Sequence, residues 1–393
     1  MKSAPFKVFL VGNSDEFQFS MKLFPEMLLR GLRERDVPAE LLRPRTVFGK
    51  LAPWAGRLGK WLFYIDKFLL FPVVLSWRLR REKGGFVVHI CDHSNGMYVP
   101  RVACWPHLVT CHDVMPIRSA LGEVPQNPTS RTGRLFQRLI LAGLRKAGCI
   151  ACVSHATQEH LLRVARIPPG RCRVILNGLH YPYTPMPVPE ARARVARLLG
   201  GEVPPFVLHV GGDAWYKNRG GLLAMYAALR RRARAQGAEP PRLVCAGPPL
   251  RRELIPFAAE DPAMQHDVVA LQGASNEDLR ALYSLAECLL FPSWDEGFGW
   301  PIVEAQACGC RVVTTGRAPM TEVGGAPAFY IDPADPDAAA VIVAEVLRQP
   351  RAEREARVAA GLANVSRFTF SGMMEEYLAL YRKLAARSGE GGV

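Results

Sequence analysis

Apolar runs of four or five residues recur along the whole chain, separated by stretches with helical periodicity. That alternation is the signature of α/β units built around parallel sheets. In the first half the pattern predicts strands at Lys7–Val11, Phe86–Ile90, Leu108–Thr110, Cys149–Val153 and Arg173–Leu176. Helices are predicted at Lys22–Arg35, Arg134–Lys146 and His155–Val164, with Ser154 as the N-cap of the last. The segment HYPYTPMPVP, residues 180–189, then breaks the rhythm with four prolines in ten residues. A short Arg/Ala helix and the pair Pro204–Pro205 follow, and the alternation restarts. The later strands are expected at Phe206–Val210, Arg242–Cys245, Val268–Leu271, Cys288–Phe291 and Arg311–Thr314. The expected architecture is two Rossmann-like domains facing each other across a cleft: residues 1–185, a linker over 186–204, and residues 205–370. A closing helix at 371–388, with Met374, Leu378 and Tyr381 on one face, is expected to pack back on the first domain.

Composition narrows the class. Apolar residues make up 49% of the 393 and charged residues 22%, enough for two buried cores and far from disorder, collagen or a repeat array. The longest mostly apolar stretch, Phe68 to Trp77, has ten residues, too short to span a bilayer, and the N-terminus does not read as a signal peptide. The formal charge is +14, unevenly placed: residues 1–200 hold 30 basic and 13 acidic side chains, residues 201–393 hold 20 and 23. The first half therefore faces something anionic: nucleic acid, a phospholipid surface or a phosphate-bearing acceptor. Ten cysteines in such a chain read as buried reduced thiols, not a disulfide framework. Cys149 and Cys152 have CxxC spacing but fall on a strand-like run, where i and i+3 point to opposite faces.

The densest chemical signal is FPSWDEGFGWPIVEAQACGCRVV, residues 291–313. A strand ends at Phe291–Pro292, a loop carries Glu296, Gly297, Phe298 and Gly299, and a helix is expected to start at Pro301 and close at Gly309. Glycines before a helix N-terminus let backbone N–H groups approach an anion. Glu304, expected in the first helical turn, and Glu296 in the loop can then face one cleft, where carboxylates accept hydrogen bonds from ribose or sugar hydroxyls.

Glu296 and Glu304 form an E-x7-E pattern, and the stretch resembles the retaining glycosyltransferases of family four, which have the GT-B fold. HVGGDAWYKN (209–218), LVCAGPPL (243–250), LQGASNEDLRALYSLAECLLFPS (271–293), PMTEVGG (319–325) and YIDP (330–333) follow in that family's order. In the first half VVHICDHS (87–94), VTCHD (109–113), ACVSHAT (151–157) and VILNG (174–178) also match. The resemblance implies that Glu296 holds the donor sugar, Glu304 the ribose, and Lys217 the diphosphate. It also implies donor contacts from Gly211, Gly212, Asn218, Gly247, Gly297, Phe298 and Gly299. His112 would lie near the reacting centre, with Glu296 and Lys217 completing the catalytic set. The chain departs from the family at Gly212, where relatives carry a diphosphate-binding arginine; Arg219 and Arg317 are the candidate substitutes. Retention is implied by front-face substitution, in which the departing phosphate oxygen helps take the acceptor's proton.

Acceptor contacts are assigned to Asn13, His93 and Asp113; the loop Gly12-Asn13-Ser14-Asp15 replaces the double glycine of many relatives. Asp113 also has the spacing of a cap before Pro116, and Asn177-Gly178 reads first as a turn. His89, Asp92 and His93 are ligand-type residues at a strand end, yet the resemblance implies no metal and no cofactor. Residues 57–83, rich in aromatic, aliphatic and basic side chains, are either core or a membrane-facing element beside anionic headgroups, and Pro72 argues against one uninterrupted helix there. The expected partners are a nucleotide-diphosphate sugar (GDP-mannose or a UDP-hexose), a glycan or lipid-linked acceptor of cell-surface polysaccharide assembly, and an anionic membrane surface, with no nucleic acid. The expected location is cytoplasmic, peripheral on the inner face of the membrane. A nucleotide-sugar epimerase or another GT-B enzyme is the alternative, followed by a basic nucleic-acid-binding protein.

Overall fold

The computed structural model describes residues 6–14, 19–54 and 59–387. The chain divides into two compact units: residues up to His180 together with those from Phe370 onward, and Tyr181–Thr369. Asp15 and the tail from Ser388, both singled out above, lie outside the described residues.

The first unit is built on a six-stranded sheet: β1 (Lys7–Val11), β2 (Ala39–Leu42), β3 (Phe86–Ile90), β4 (His107–Cys111), β5 (Ile150–Cys152) and β6 (Cys172–Val174). Every pairing is parallel and the order is β2-β1-β3-β4-β5-β6. β3 and β4 are buried at every position, which is why they read as continuous apolar runs. β2 was missed by the sequence pattern: as an edge strand, AELL is half-buried throughout and carries no apolar run. Helices Phe19–Arg33, Arg131–Lys146 and His155–Ala165 cover the sheet. Ser154 caps the last by accepting from the Thr157 amide.

Residues 59–80 are not one uninterrupted α-helix, as Pro72 suggested, although the irregular turn precedes the proline. Helix Gly59–Ile65 runs through a wide π turn, Asp66–Leu70, into helix Phe71–Arg80, with right-handed helical dihedrals at both joints. Pro72 sits in the first turn of the third segment, where its missing N–H is tolerated. The π turn is pinned by Asp66, 3% exposed, whose carboxylate accepts from the amides of Val47 (2.9 Å), Phe48 (3.0 Å) and Gly49 (2.8 Å).

The closing helix, Phe370–Arg387, belongs to this unit. Its Met374, Leu378 and Tyr381 are buried. The Tyr381 hydroxyl lies 2.7 Å from His89 Nδ1, and Thr110 Oγ1 lies 2.7 Å from His89 Nε2 and 3.0 Å from the Tyr377 hydroxyl.

The second unit carries β7 (Phe206–Val210), β8 (Arg242–Ala246), β9 (Val268–Leu271), β10 (Cys288–Phe291), β11 (Val312–Thr315) and β12 (Phe329–Ile331) in the order β12-β11-β10-β7-β8-β9, again all parallel. β12, three residues at the edge, is the second strand the pattern did not announce. The segment expected as a linker holds helix Val188–Leu199, with Ala191 and Val195 fully buried. Arg194 pairs with Asp278 at 2.7 Å, so this segment is built into the second unit.

Both sheets contain one place where chain order reverses: between β1 and β3 in the first, between β7 and β10 in the second. Loops leaving two neighbouring strands there diverge to opposite faces and leave a crevice at the strand carboxyl ends, the usual ligand position in open α/β sheets.

The ten cysteines are free, and all but Cys104 are buried. No helix among the described residues is long and apolar enough to cross a membrane.

Candidate functional site

In the second unit, the loops after β7 and β10 meet at the reversal point. After β7 the chain runs through Gly211 and Gly212 into a short turn, Trp215–Lys217, and Asn218 starts helix Arg219–Ala235 from a left-handed conformation (φ 55°). Gly247, at the end of β8, approaches this loop so closely that a Cβ would stand 2.1 Å from the Gly211 carbonyl oxygen, so only glycine fits. At Gly212, by contrast, a Cβ would meet nothing within 4 Å. Asn218 is buried and holds the loops together: its side-chain amide donates to the carbonyls of Pro292 (3.1 Å) and Pro333 (3.4 Å), and its Oδ1 accepts from Gly221 N.

After β10, Trp294 N donates to the Tyr216 carbonyl at 2.7 Å, binding this loop to the first one. Glu296 is thereby brought to Lys217: Nζ to Oε1 is 2.7 Å, with side chains 15% and 9% exposed. Two groups 79 positions apart, assigned above to diphosphate and sugar, are ion-paired across the reversal point. Phe298 is buried edge-on against Phe368, with ring centroids 5.7 Å apart.

The following helix starts at Trp300, not Pro301, which puts Pro301 second and moves Glu304 from the first turn into the next. Glu304 is 5% exposed and accepts from the Tyr283 hydroxyl at 2.9 Å. Burial pushes its carboxyl up to about 7, with the tyrosine hydroxyl and the Lys217 charge pulling the other way. Tyr283, in turn, sits edge-on to Tyr183. Of the candidate substitutes for the family arginine, Arg219 is directed to the Pro249 carbonyl and to Glu253 (3.3 Å). Arg317 is half-exposed and stacks over Trp294, 5.2 Å from its ring centre, beside the Glu296 loop.

Sequence reasoning missed His209 and Tyr283. His209, on β7, is 2% exposed; its Nδ1–H donates to the Leu290 carbonyl (3.0 Å), and burial pushes the ring down to about 4, so it is neutral. Its Nε2 has no partner among the described residues and faces Gly211, 3.1 Å from where a Cβ would be.

The first unit has a matching cluster at its own reversal point. Asn13, after β1, donates through Nδ2 to Asp92, after β3, and accepts from Asn95 Nδ2 at 2.8 Å. His93 Nδ1 lies 3.3 Å from Asp92 Oδ1 and its Nε2 lies 3.9 Å from Asp113 Oδ1. The structure thus brings Asn13, His93 and Asp113 together. Asp113 also accepts from the Met115 amide (3.0 Å), but the N-cap of helix Met115–Ala120 is Val114 and no side chain caps it, so Asp113 is not the cap that its spacing suggests. Burial opposes ionisation of Asp92, but the His93 and His112 rings, the Ser94 amide and Asn13 outweigh it and hold the carboxyl near about 2. His112, 8% exposed, donates from Nε2 to the Cys91 carbonyl (2.9 Å) and packs edge-on against Phe24. Burial lowers its pKa, against the pull of Asp92 and the Cys91 carbonyl. Lys67, in the π turn, points its Nζ at Asn13 Oδ1 (3.5 Å), and burial lowers its pKa against the pull of Asp92. Lys67 and Asn95 were not foreseen. Among the described residues no three His, Cys, Asp or Glu side chains are grouped as metal ligands.

Comparison with known proteins agrees with the two-sheet plan. A Thermosynechococcus elongatus sucrose-phosphate synthase aligns over 97% of this chain and 100% of its own, with TM-score 0.70 at 18% identity. An Anabaena protein solved in complex with UDP and glucose aligns over 95% and 99%, with TM-score 0.67 at 16% identity. Among curated proteins, the O-antigen chain mannosyltransferase B of Escherichia coli is 24% identical over 80% of this chain and 79% of its own length. The D-inositol 3-phosphate glycosyltransferase of Salinispora tropica is 31% identical over 72% and 60%. The chain spans only 32% of a serotype-specific mannosyltransferase of Escherichia coli that it also matches. The family model described as Glycosyltransferase Family 4 matches residues 26–181, and that described as Glycosyl transferases group 1 matches residues 204–349. With each unit matched by its own family model, the chain belongs to glycosyltransferase family four and has the two-domain GT-B fold.

Proposed function

We propose that this chain transfers a hexosyl group, with retention, from a nucleotide-diphosphate sugar to a glycan or lipid-linked acceptor in cell-surface polysaccharide assembly. The Lys217–Glu296 pair at the β7/β10 reversal point carries this reading. A lysine and a carboxylate held 2.7 Å apart and largely buried are one cation and one anion in a crevice, each able to exchange its partner for a ligand group. On donor binding the diphosphate takes Lys217 and the sugar hydroxyls take Glu296. Glu304, buried beside Tyr283, accepts from the ribose hydroxyls once ionised. In the reaction the bond between the anomeric carbon and the β-phosphate oxygen breaks. The acceptor oxygen bonds to the same face, and its proton passes to the departing phosphate oxygen. Lys217 neutralises the charge that develops on that oxygen, so no metal is invoked. His112 keeps its Nε2–H on the Cys91 carbonyl, which leaves Nδ1 as the ring atom for a donor-sugar hydroxyl in this reading. Asn13, His93 and Asp113 receive the acceptor.

Mannose is favoured by the relatives named as mannosyltransferases, GDP-mannose by one of Mycolicibacterium smegmatis that is named as GDP-mannose-dependent, and a UDP-hexose by the structural relative solved with UDP and glucose. The basic first half suits a peripheral position on the inner face of the membrane that carries a lipid-linked acceptor. A screen of nucleotide sugars, reading thermal stabilisation and released nucleotide, tests the function directly. One donor should stabilise the protein and release its nucleotide only when an acceptor extract is present. Conversion of the donor with no acceptor present is the epimerase result and overturns transfer.

A further inference from the structure

The first unit exposes apolar surface that its fold does not require. Along the π-turned helical run, Leu69, Val73 and Trp77 follow at four-residue spacing and are 66%, 58% and 52% exposed. On helix Arg131–Lys146, Leu135 and Leu139 repeat the spacing at 57% and 48%. One residue of each stripe, Leu69 and Leu139, lines a cavity of about 650 Å³ together with Trp61, Phe68, Met97 and Phe136. The floor is fixed by a backbone contact: a Cβ on Gly143 would stand 2.0 Å from the Gly96 carbonyl oxygen, so helix Arg131–Lys146 lies directly on the turn His93–Tyr98. That same turn carries Asn95 to the polar cluster at one end and Met97 to the cavity at the other. The π turn does likewise, sending Lys67 to Asn13 and Phe68 to the cavity.

Charge identifies the occupant. Residues 124–158 contain five lysine or arginine side chains and no acidic one. Arg131, Arg134, Arg138 and Lys146 are exposed, and none pairs with an acid among the described residues. Arg101 and Lys146 stand at the cavity itself. A soluble protein partner would have to match an apolar stripe interleaved with uncompensated cations. An anionic bilayer satisfies both at once, with acyl chains meeting the apolar groups and headgroup phosphates meeting the cations.

We propose that this face docks on an anionic phospholipid bilayer and that the cavity takes an acyl chain from it. The docking deepens the membrane position proposed above and rests on it, but requires neither donor binding nor turnover. Because the cavity and the polar cluster share two backbone turns, docking brings Asn13, His93 and Lys67 to the depth of the headgroups, where the phosphate-proximal sugar of a lipid-linked acceptor lies.

Flotation of the full chain with vesicles tests the inference. Vesicles of equal phosphatidylglycerol and phosphatidylcholine should carry the protein upward, and pure phosphatidylcholine should not. Leu69→Glu with Leu139→Glu, both at exposed positions, should abolish flotation, and Arg134→Gln with Arg138→Gln should weaken it roughly tenfold or more. Donor-induced thermal stabilisation should be unchanged in all variants, which separates failure of docking from failure of the donor site. Equal flotation on neutral vesicles, no flotation on anionic ones, or flotation of the Leu69/Leu139 variant at the wild-type level overturns the proposal.

Discussion

Glu304 offers the sharpest perturbation, because its environment makes opposite demands on the empty and the occupied site. Its carboxyl lies up at about 7 in the folded chain against an ordinary value of 4.5, and burial is the main cause. A carboxyl that holds its proton more tightly when folded adds stability in full below the ordinary value. That contribution is lost as pH rises toward 7. A tenfold difference in proton affinity is worth about 1.4 kcal/mol, so the folded chain should forfeit about 3 kcal/mol between pH 4.5 and 7.5 on this group alone. Glu304→Gln keeps an oxygen for the Tyr283 hydroxyl and removes the titration. Urea unfolding should therefore show variant and wild type equal near pH 4.5, with the variant more stable by about 3 kcal/mol at pH 8. In the proposed function the donor reverses the preference, since ribose hydroxyls would donate to the ionised carboxylate. Donor affinity of the wild type should rise up to about tenfold per pH unit from 5.5 to 6.5 and level off above 7, with a proton released on binding. Calorimetry in buffers of different ionisation enthalpy reads that proton. Parallel stability profiles in the two proteins, or wild-type binding with no proton release at pH 6, refute the reasoning.

Three further outcomes follow from the same geometry. Lys217→Ala should cut turnover on the order of tenfold or more by removing the charge at the leaving phosphate. Pairing it with Glu296→Gln in a steady-state kinetic cycle should show strongly non-additive losses, whereas simple additivity would mean that the pair is not one unit. Gly212→Arg has room for its side chain and returns a cation to the loop, so donor affinity measured by calorimetry should rise several-fold with stability kept within about 1 kcal/mol. Unchanged affinity would show that Arg317 or another group already fills that role. Tyr381→Phe strips a buried ring nitrogen of His89 of its partner and should cost the first unit about 1–3 kcal/mol in denaturant melts, while Val341→Ala in the second unit should leave that transition alone.

Much of the architecture was legible because parallel strands buried on both faces announce themselves as apolar runs. β1, β3, β7 and β10 sit where the pattern put them. The edge strands β2 and β12 did not, being short and largely half-buried without an uninterrupted aliphatic run like the VVAL of edge strand β9. At the site, the spacing of Glu296 and Glu304 was visible, but a one-residue difference in the helix start changed what Glu304 is. In the second turn it is enclosed beside Tyr283, 21 residues away, a contact no local pattern encodes. Lys67 was hidden by a different mechanism. Periodicity near 3.6 carries no trace of a π turn, and the extra residue in that turn sets which side of the run meets Asn13. The reversal points themselves come from strand order, which the sequence does not spell out. Once the order is known, Asn13 with Asp92 and Lys217 with Glu296 fall at equivalent places in the two sheets.

The central claim, a nucleotide-sugar donor gripped by Lys217, Glu296 and Glu304 and transferred with retention, is tested most directly by proton NMR of one reaction. The stabilising donor and an accepted glycan are mixed with the chain, and the anomeric proton of the product is followed with time. Retention by the proposed chemistry predicts an α-linked product from an α-linked donor, and no product signal from Glu304→Ala. A β-linked product, or wild-type turnover by Glu304→Ala, contradicts it.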